Sequence, residues 1–156
     1  MSGRREGEIA LGFDPAQSPA DAALVFIGRI RSPWSEREAC PKNMAAARQT
    51  GRTATIEIDA PYRQGLSGLE SVSHVAVLTW LDRAARDLIV QKPRHAPSPR
   101  GTFALRSPVR PNPIGLHVVR LVALDAAAGI LTLEAIDVLD GTPVLGLYAA
   151  GEVAGF

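Results

Sequence analysis

The chain has 156 residues, of which 46% are hydrophobic and 21% are charged, and its formal net charge is +1. This length predicts one domain that buries a hydrophobic core without disulfides or a structural metal, and the composition excludes a disordered or fibrous chain. The single cysteine, Cys40, excludes an intramolecular disulfide and favours a reducing compartment.

The N-terminal residues predict an arm followed by a strand. Residues 1–22 mix charge, glycine and proline without a period, so we expect an N-terminal arm outside a main domain over residues 23–156. No apolar segment of a secretory signal follows the first charges, and no run approaches the roughly 18 apolar residues of a membrane helix. We therefore expect a cytoplasmic protein with no membrane partner. The β-branched run over residues 24–30 predicts a first strand that ends before Pro33.

The middle of the chain predicts two more strands and one helix. A long loop is expected over residues 35–52, and the alternation of residues 53–59 indicates a half-buried strand. Residues 73–81 are almost wholly apolar, which predicts a strand buried on both faces. A short helix is expected to begin at Asp82.

The last part of the chain predicts a short strand over residues 102–106, a hairpin over 116–138 and a final strand over 143–147. The apolar phase slips within residues 130–138, which predicts a β-bulge or a sharp bend there. Six or seven short strands with one or two short helices predict a mainly β fold, a small and largely antiparallel β-barrel, because closure protects the strand edges. The alternative is an open β-sandwich.

The loop over residues 106–115 contains three prolines, two arginines and an asparagine. Prolines restrict the backbone, so this loop can hold Arg106, Arg110 and Asn112 as preorganised donors. The alternative is a rigid structural crossover with solvated arginines.

Basic residues are concentrated over residues 83–110, where seven of them stand against one acid, Asp87. This basic stripe suits phosphate contacts, although a solvated face gives the same pattern. The seven residues are Arg83, Arg86, Lys92, Arg94, Arg100, Arg106 and Arg110.

The sequence contains no metal-ligand motif, so no metal site is predicted. His74, His95 and His117 lack the spacing of metal ligands, and Cys40 has no partner cysteine. His74 lies in an apolar run and is interpreted as a core or interface histidine, and Cys40 as an inert thiol. A dinucleotide fingerprint and a phosphate-binding loop are also absent.

Four segments together resemble the TsaA-like, or TrmO-type, family. They are residues 27–33, residues 68–74 with Val72 in place of the usual aromatic, the long signature over residues 101–115, and residues 140–144. The resemblance covers roughly residues 24–147.

The resemblance implies a β-barrel that binds S-adenosylmethionine, forms a homodimer and methylates N6 of threonylcarbamoyl-adenosine at position 37 of tRNA. Arg110 and Asn112 are assigned to substrate positioning, because a guanidinium pairs with a carboxylate and an amide can orient the reacting group. Carried over by motif, the cofactor-binding residues are Pro41, Lys42, Asn43, Leu81, Asp82, Arg106, Leu139, Asp140, Gly141 and Thr142.

Two departures from the family pattern leave other functions open. The chain ends at Phe156, without the C-terminal extension that helps larger members to hold tRNA, and residues 145–150 replace an acidic, lysine-containing segment. One alternative is a methyltransferase that acts on a different substrate. The other is a non-catalytic module that binds S-adenosylmethionine or RNA.

Overall fold

The computed structural model describes residues 3–150, which form two compact units. One unit contains residues 24–80 and the chain from Gly115 onward, and the other contains the residues up to Ala23 together with Leu81–Ile114. The nine strands are β1 (Ile9–Ala10), β2 (Gly28–Arg31), β3 (Ala54–Ile58), β4 (His74–Trp80), β5 (Leu88–Gln91), β6 (Arg100–Gly101), β7 (Ile114–Asp125), β8 (Ile130–Leu133) and β9 (Pro143–Ala150), all within the described residues. One α-helix, α1 (Met44–Gln49), and 3-10 turns at Pro15–Gln17, Ala60–Leu66, Leu69–Ser71 and Thr102–Ala104 complete the secondary structure.

The larger unit is a closed barrel with strand order β2-β3-β8-β7-β4-β9, which confirms the predicted barrel. Antiparallel pairing places Ile56 opposite Ile30 on one side and Leu131 on the other, and all three are completely buried. Burial of each such side chain contributes about 1.5–3 kcal/mol relative to exposure. The alternation of inward apolar residues therefore fixes the register of these strands.

Two predictions about the barrel strands are wrong. Strand β4 is expected from the sequence to be buried on both faces, but it buries only the face of Val75, Val77 and Thr79. The residues that alternate with these three are half-buried, although most of them are apolar. Strand β8 ends at Leu133, before the predicted end at Val138, and the chain bends at Glu134, so the predicted irregularity is a bend and not a bulge. The phase slip instead marks the end of that strand, and the irregular pairing lies opposite it, between Leu121 and Ala123 of β7.

The smaller unit holds a three-stranded sheet of order β1-β5-β6. The helix predicted from Asp82 is wrong: a turn bonds the Ala84 N–H to the Leu81 carbonyl, and the β-branched run of β5 then pairs with β1 through Val90 and Ile9. The strand predicted over residues 102–106 is also wrong, because Thr102–Ala104 forms a 3-10 turn whose first side chain is buried. The boundaries of the arm and the main domain stay predictions.

The predicted loop over residues 35–52 contains α1. Asn43 begins the helix as its N-cap, since its side-chain oxygen accepts a hydrogen bond from the Ala46 N–H at 2.8 Å. No helix within residues 3–150 has the length and apolar character needed to cross a membrane.

Candidate functional site

Strand β2 and the residues after it hold the turn over residues 139–142. The Gly141 N–H donates to the Ile30 carbonyl at 2.8 Å, and the Ile30 N–H donates to the Thr142 carbonyl at 2.9 Å. Gly141 has a φ of 81°, a conformation that glycine adopts without strain. The Thr142 hydroxyl donates to the Leu139 carbonyl at 2.7 Å. These bonds fix the backbone of the four predicted residues.

Asp140 is fixed in the same turn by two contacts with the chain after β2. Its backbone N–H donates to the Trp34 carbonyl at 2.7 Å, and its side-chain Oδ1 accepts from the Ser32 N–H at 3.1 Å. Trp34 is itself anchored, because its indole N–H donates to the Ile136 carbonyl at 3.0 Å. The carboxylate of Asp140 is therefore held in one orientation.

The loop containing Pro41, Lys42 and Asn43 leads into α1. Pro41 is half-buried, whereas Lys42 and Asn43 are exposed. Cys40, directly before this loop, has its pKa raised to about 11, first by burial and second by the negative charge of Asp137. The carboxylate of Asp137 therefore lies within electrostatic range of the start of this loop.

Asp137 belongs to a polar chain inside the barrel. His117 Nδ1 lies 2.9 Å from Asp137 Oδ1, and His117 Nε2 lies 3.0 Å from Thr79 Oγ1. A carboxylate only accepts hydrogen bonds, so Nδ1 donates to Asp137. A side chain at Gly115 would clash with both Thr79 and His117, so this glycine leaves room for the pair.

Sequence reasoning missed this polar chain. The spacing of the histidines excludes His117 only as a metal ligand, although this residue lies between Gly115 and Val119 on the inward face of β7. This inward position predicts a buried histidine, and a buried histidine requires a polar partner.

In the smaller unit, Arg110 stabilises the proline-rich loop. Its Nε donates to the Ser107 carbonyl at 2.9 Å, and one terminal nitrogen donates to the carbonyls of Leu105 at 2.7 Å and Thr102 at 3.3 Å. Buried Gln91 donates to the Thr102 hydroxyl at 2.8 Å and also to the loop. The loop is thus held in shape by hydrogen bonds as well as by proline, and the role of its side chains toward a ligand stays a prediction.

Asn112 and Leu81 lie at the other end of this loop. Arg86 donates to the Asn112 side-chain oxygen at 3.1 Å and to the Pro111 carbonyl at 2.6 Å. The Leu81 N–H donates to the Pro113 carbonyl at 2.8 Å. The smaller unit therefore brings Leu81 and Asn112 to one end of the loop, while Asp82 and Arg106 are exposed.

The basic stripe divides into two groups. Arg86, Lys92 and Arg110 donate to backbone carbonyls of the smaller unit. The other four residues are exposed: Arg83, Arg94, Arg100 and Arg106. The exposed group is the part of the stripe that suits phosphate contacts. Within residues 3–150, no cluster of three or more histidine, cysteine, aspartate or glutamate residues is arranged to hold a metal ion.

Comparison with known proteins gives matches along most of the chain. A family model described as the tRNA-methyltransferase O N-terminal domain matches residues 29–148. The chain is 35% identical over 141 residues to the "Probable S-adenosyl-L-methionine-binding protein VirR" of Rhizobium radiobacter, covering 90% of this chain and 76% of that protein. It is 36% identical over 127 residues to the tRNA (adenine(37)-N6)-methyltransferase of Escherichia coli, covering 76% of this chain and 53% of that enzyme.

A solved structure agrees with the sequence matches. The crystal structure of TrmO from Pseudomonas aeruginosa is 36% identical and superposes with a TM-score of 0.66, covering 88% of this chain and 61% of that one. The chain thus spans between half and two thirds of the length of the E. coli enzyme and of this solved structure.

Proposed function

Because the chain belongs to the family of the tRNA-methyltransferase O N-terminal domain, we propose that it binds S-adenosylmethionine and transfers the methyl group to tRNA. The acceptor in this proposal is N6 of threonylcarbamoyl-adenosine at position 37. The observation that carries the proposal is the family match over residues 29–148, which includes every predicted site residue from Pro41 to Thr142.

The chemistry of the available side chains fits this cofactor. S-adenosylmethionine offers an ammonium, two ribose hydroxyls and an adenine amino group as donors, and one carboxylate as an acceptor. The oriented carboxylate of Asp140 can accept from such donors, while Lys42 supplies a cation for the cofactor carboxylate. Arg106 of the smaller unit remains a proposed contact. The space beside Gly141 is open, since no atom of a residue other than Gly141 and its two chain neighbours lies within 4 Å of the position that a Cβ would occupy. Asn43, Leu81 and Asp82 remain proposed contacts.

The bound cofactor supplies an electrophilic methyl group, and the chain supplies alignment and exclusion of water. Asn112 accepts from Arg86 through its oxygen, which leaves its amide N–H groups to orient the acceptor. Arg110 keeps the loop in shape through its three carbonyl contacts and thereby holds Asn112 in place. Transfer of the methyl group to N6 releases the N6 proton. Because this N–H is more acidic in a carbamoylated adenosine than in adenosine, water can accept the proton and no strong base is required.

The exposed arginines support tRNA as the partner. Arg83, Arg94, Arg100 and Arg106 present positive charge that suits backbone phosphates, and such binding weakens steeply with salt. For an enzyme of this kind, the cytoplasm is the proposed location.

A homodimer is also proposed, through the outward face of β7. Val118 and Val122 on this face are 49% and 55% exposed, and Leu116 is 54% exposed. Large exposed apolar side chains on one strand face are typical of an interface, and a second copy offers the same patch across a two-fold axis. The variant Val118→Lys should shift the mass measured by light scattering from dimer to monomer. A wild-type monomer mass would reject this part of the proposal.

The test of the reaction is methyl transfer from S-adenosylmethionine carrying a labelled methyl group. The acceptors are tRNA that contains threonylcarbamoyl-adenosine and the same tRNA that lacks the threonylcarbamoyl group. The proposal predicts label only in the first tRNA, at position 37. Label in neither tRNA, with cofactor binding intact, would reject the methyl acceptor.

A second candidate is a module that binds S-adenosylmethionine without catalysis. The name of the Rhizobium radiobacter relative, of which the chain covers 76%, states binding only. The same assay separates the two functions, because such a module binds the cofactor yet releases no S-adenosylhomocysteine with any RNA.

A further inference from the structure

The polar chain of Thr79, His117 and Asp137 gives one carboxylate a fixed orientation. Thr79 and His117 are 0% and 7% exposed, so the histidine is held between two partners inside the barrel. Asp137 Oδ1 accepts from His117, and its other oxygen, Oδ2, accepts no hydrogen bond from the described residues. No buried side-chain oxygen within residues 3–150 lacks a partner, so Oδ2 reaches the protein surface.

Asp137 is related to both barrel segments that are assigned to the cofactor. One residue, Val138, separates it from the turn over residues 139–142. Its charge also acts on the thiol of Cys40, directly before Pro41. His117 occupies one oxygen of this carboxylate, and the Asp137 side chain remains 16% exposed, so its other oxygen is available to a ligand.

We infer that Asp137, oriented by His117, discriminates between S-adenosylmethionine and its product by charge. This inference rests on the proposed function and adds substrate-over-product selectivity to it. At neutral pH S-adenosylmethionine carries a sulfonium, whereas S-adenosylhomocysteine carries a neutral thioether. A nearby carboxylate attracts the first more than the second, so it retains the substrate and favours release of the product.

Positive charges on the turn over residues 139–142 and on the loop after Cys40 make a carboxylate necessary for attraction of a sulfonium. Lys42 is exposed on the loop, and Arg29 donates to the Gly141 carbonyl at 3.0 Å. Both cations repel a sulfonium. Asp140 and Asp137 each have one oxygen, Oδ1, held by a hydrogen bond. Asp137 is the one that a buried side chain orients, so it is assigned as the ligand-selective residue and His117 as its positioning residue.

The experiment is calorimetric titration of the full chain with S-adenosylmethionine and, separately, with S-adenosylhomocysteine. Asp137→Asn should weaken binding of S-adenosylmethionine by about tenfold, the loss of one charge interaction, and binding of S-adenosylhomocysteine by less than about twofold. The matched control is Asp125→Asn, which removes the same charge from the β7–β8 turn, where Asp125 accepts from the Ala128 N–H. This control should change neither affinity.

Two variants of His117 test the positioning role. His117→Asn keeps a donor near the position of Nδ1 and should retain the wild-type ratio of the two affinities. His117→Gln places its amide toward Thr79 and should reduce the ratio as Asp137→Asn does. The Gln variant also supplies the measurement if Asp137→Asn does not fold, as judged by its thermal unfolding.

The possible outcomes separate the two hypotheses. If Asp137→Asn leaves the ratio of the two affinities unchanged, the selectivity inference is overturned and the proposed function stays intact. This holds whether both ligands bind more weakly by the same factor or neither affinity changes. If the folded, ligand-free wild type binds neither ligand, the proposed function fails and the inference fails with it.

Discussion

The side-chain oxygen Oδ1 of Asp140 accepts a hydrogen bond from the backbone N–H of Ser32 at 3.1 Å. This bond joins the turn that precedes β9 to the chain that leaves β2. Because the Asp140 N–H also donates to Trp34, the turn is held from both its backbone and its side chain. A preorganised turn loses little entropy when it receives a ligand.

Removal of this carboxylate should therefore affect binding more than folding. Asp140→Ala is expected to weaken S-adenosylmethionine binding at least about tenfold, while the lost hydrogen bond lowers the free energy of unfolding by about 1 kcal/mol. Asp125→Ala is the control, since that carboxylate accepts from the Ala128 N–H at 3.1 Å in a different turn. Calorimetry and urea unfolding measure the two quantities. Equal affinity losses in both variants would show a general effect of stability.

The cap of α1 offers a second test, at the loop that contains Lys42. Asn43→Ala removes the acceptor of the Ala46 N–H and should cost about 1 kcal/mol of helix stability. We expect faster amide exchange over Met44–Gln49 and weaker cofactor binding, because the helix holds the loop end. Asn43→Asp keeps an N-cap acceptor and should retain slow exchange. If Asn43→Ala leaves exchange in α1 unchanged, the capping role is wrong.

Substitution of Arg110 tests whether this residue stabilises the loop or only contacts the substrate. Its guanidinium donates to three carbonyls, so Arg110→Ala should leave these groups without their donor and lower the free energy of unfolding by about 1–3 kcal/mol. Limited proteolysis should then cut within residues 102–110. The exposed Arg94 provides the control, and Arg94→Ala should leave both stability and cleavage unchanged. Wild-type stability of Arg110→Ala, with loss of methyl transfer, would support substrate contact alone.

The thiol of Cys40 gives a prediction about pH. Its pKa is raised from 9.0 to about 11, so the folded state favours the protonated thiol. The resulting stabilisation is complete below pH 9 and is lost as the pH rises from 9 through 11. At pH 9, iodoacetamide should alkylate the folded protein more than about tenfold more slowly than the urea-unfolded chain. Asp137→Asn should increase the folded rate, but only partly, since burial is the larger cause. Equal rates for folded and unfolded chains would contradict the burial.

The barrel could be predicted from sequence because its strands alternate between a buried and an open face. The alternation of Ile56 and Ile58 with polar residues predicts which face of the strand is buried. The residue types Asp140 and Gly141 predict the turn. The pairing of β2 with β9 could not be predicted, since residues far apart in the chain provide it. The helix expected from Asp82 failed because pairing with β1 outweighs a weak local preference.

The candidate site was predictable only as a set of residues. The motif includes Arg110 and Asn112, but their hydrogen-bond partners depend on the path of the loop backbone. The chain of Thr79, His117 and Asp137 joins three separate segments, so no spacing reveals it. The run Met44–Gln49, rich in alanine, did carry a helix signal that a loop interpretation overlooked.

The central claim is that this barrel binds S-adenosylmethionine, and the most direct measurement is calorimetric titration of purified protein that is shown to be folded and free of carried-over ligand. The account predicts saturable binding of one cofactor per chain with a dissociation constant in the micromolar range or tighter. Absence of binding under these conditions would contradict the cofactor assignment, and with it the proposed methyl transfer.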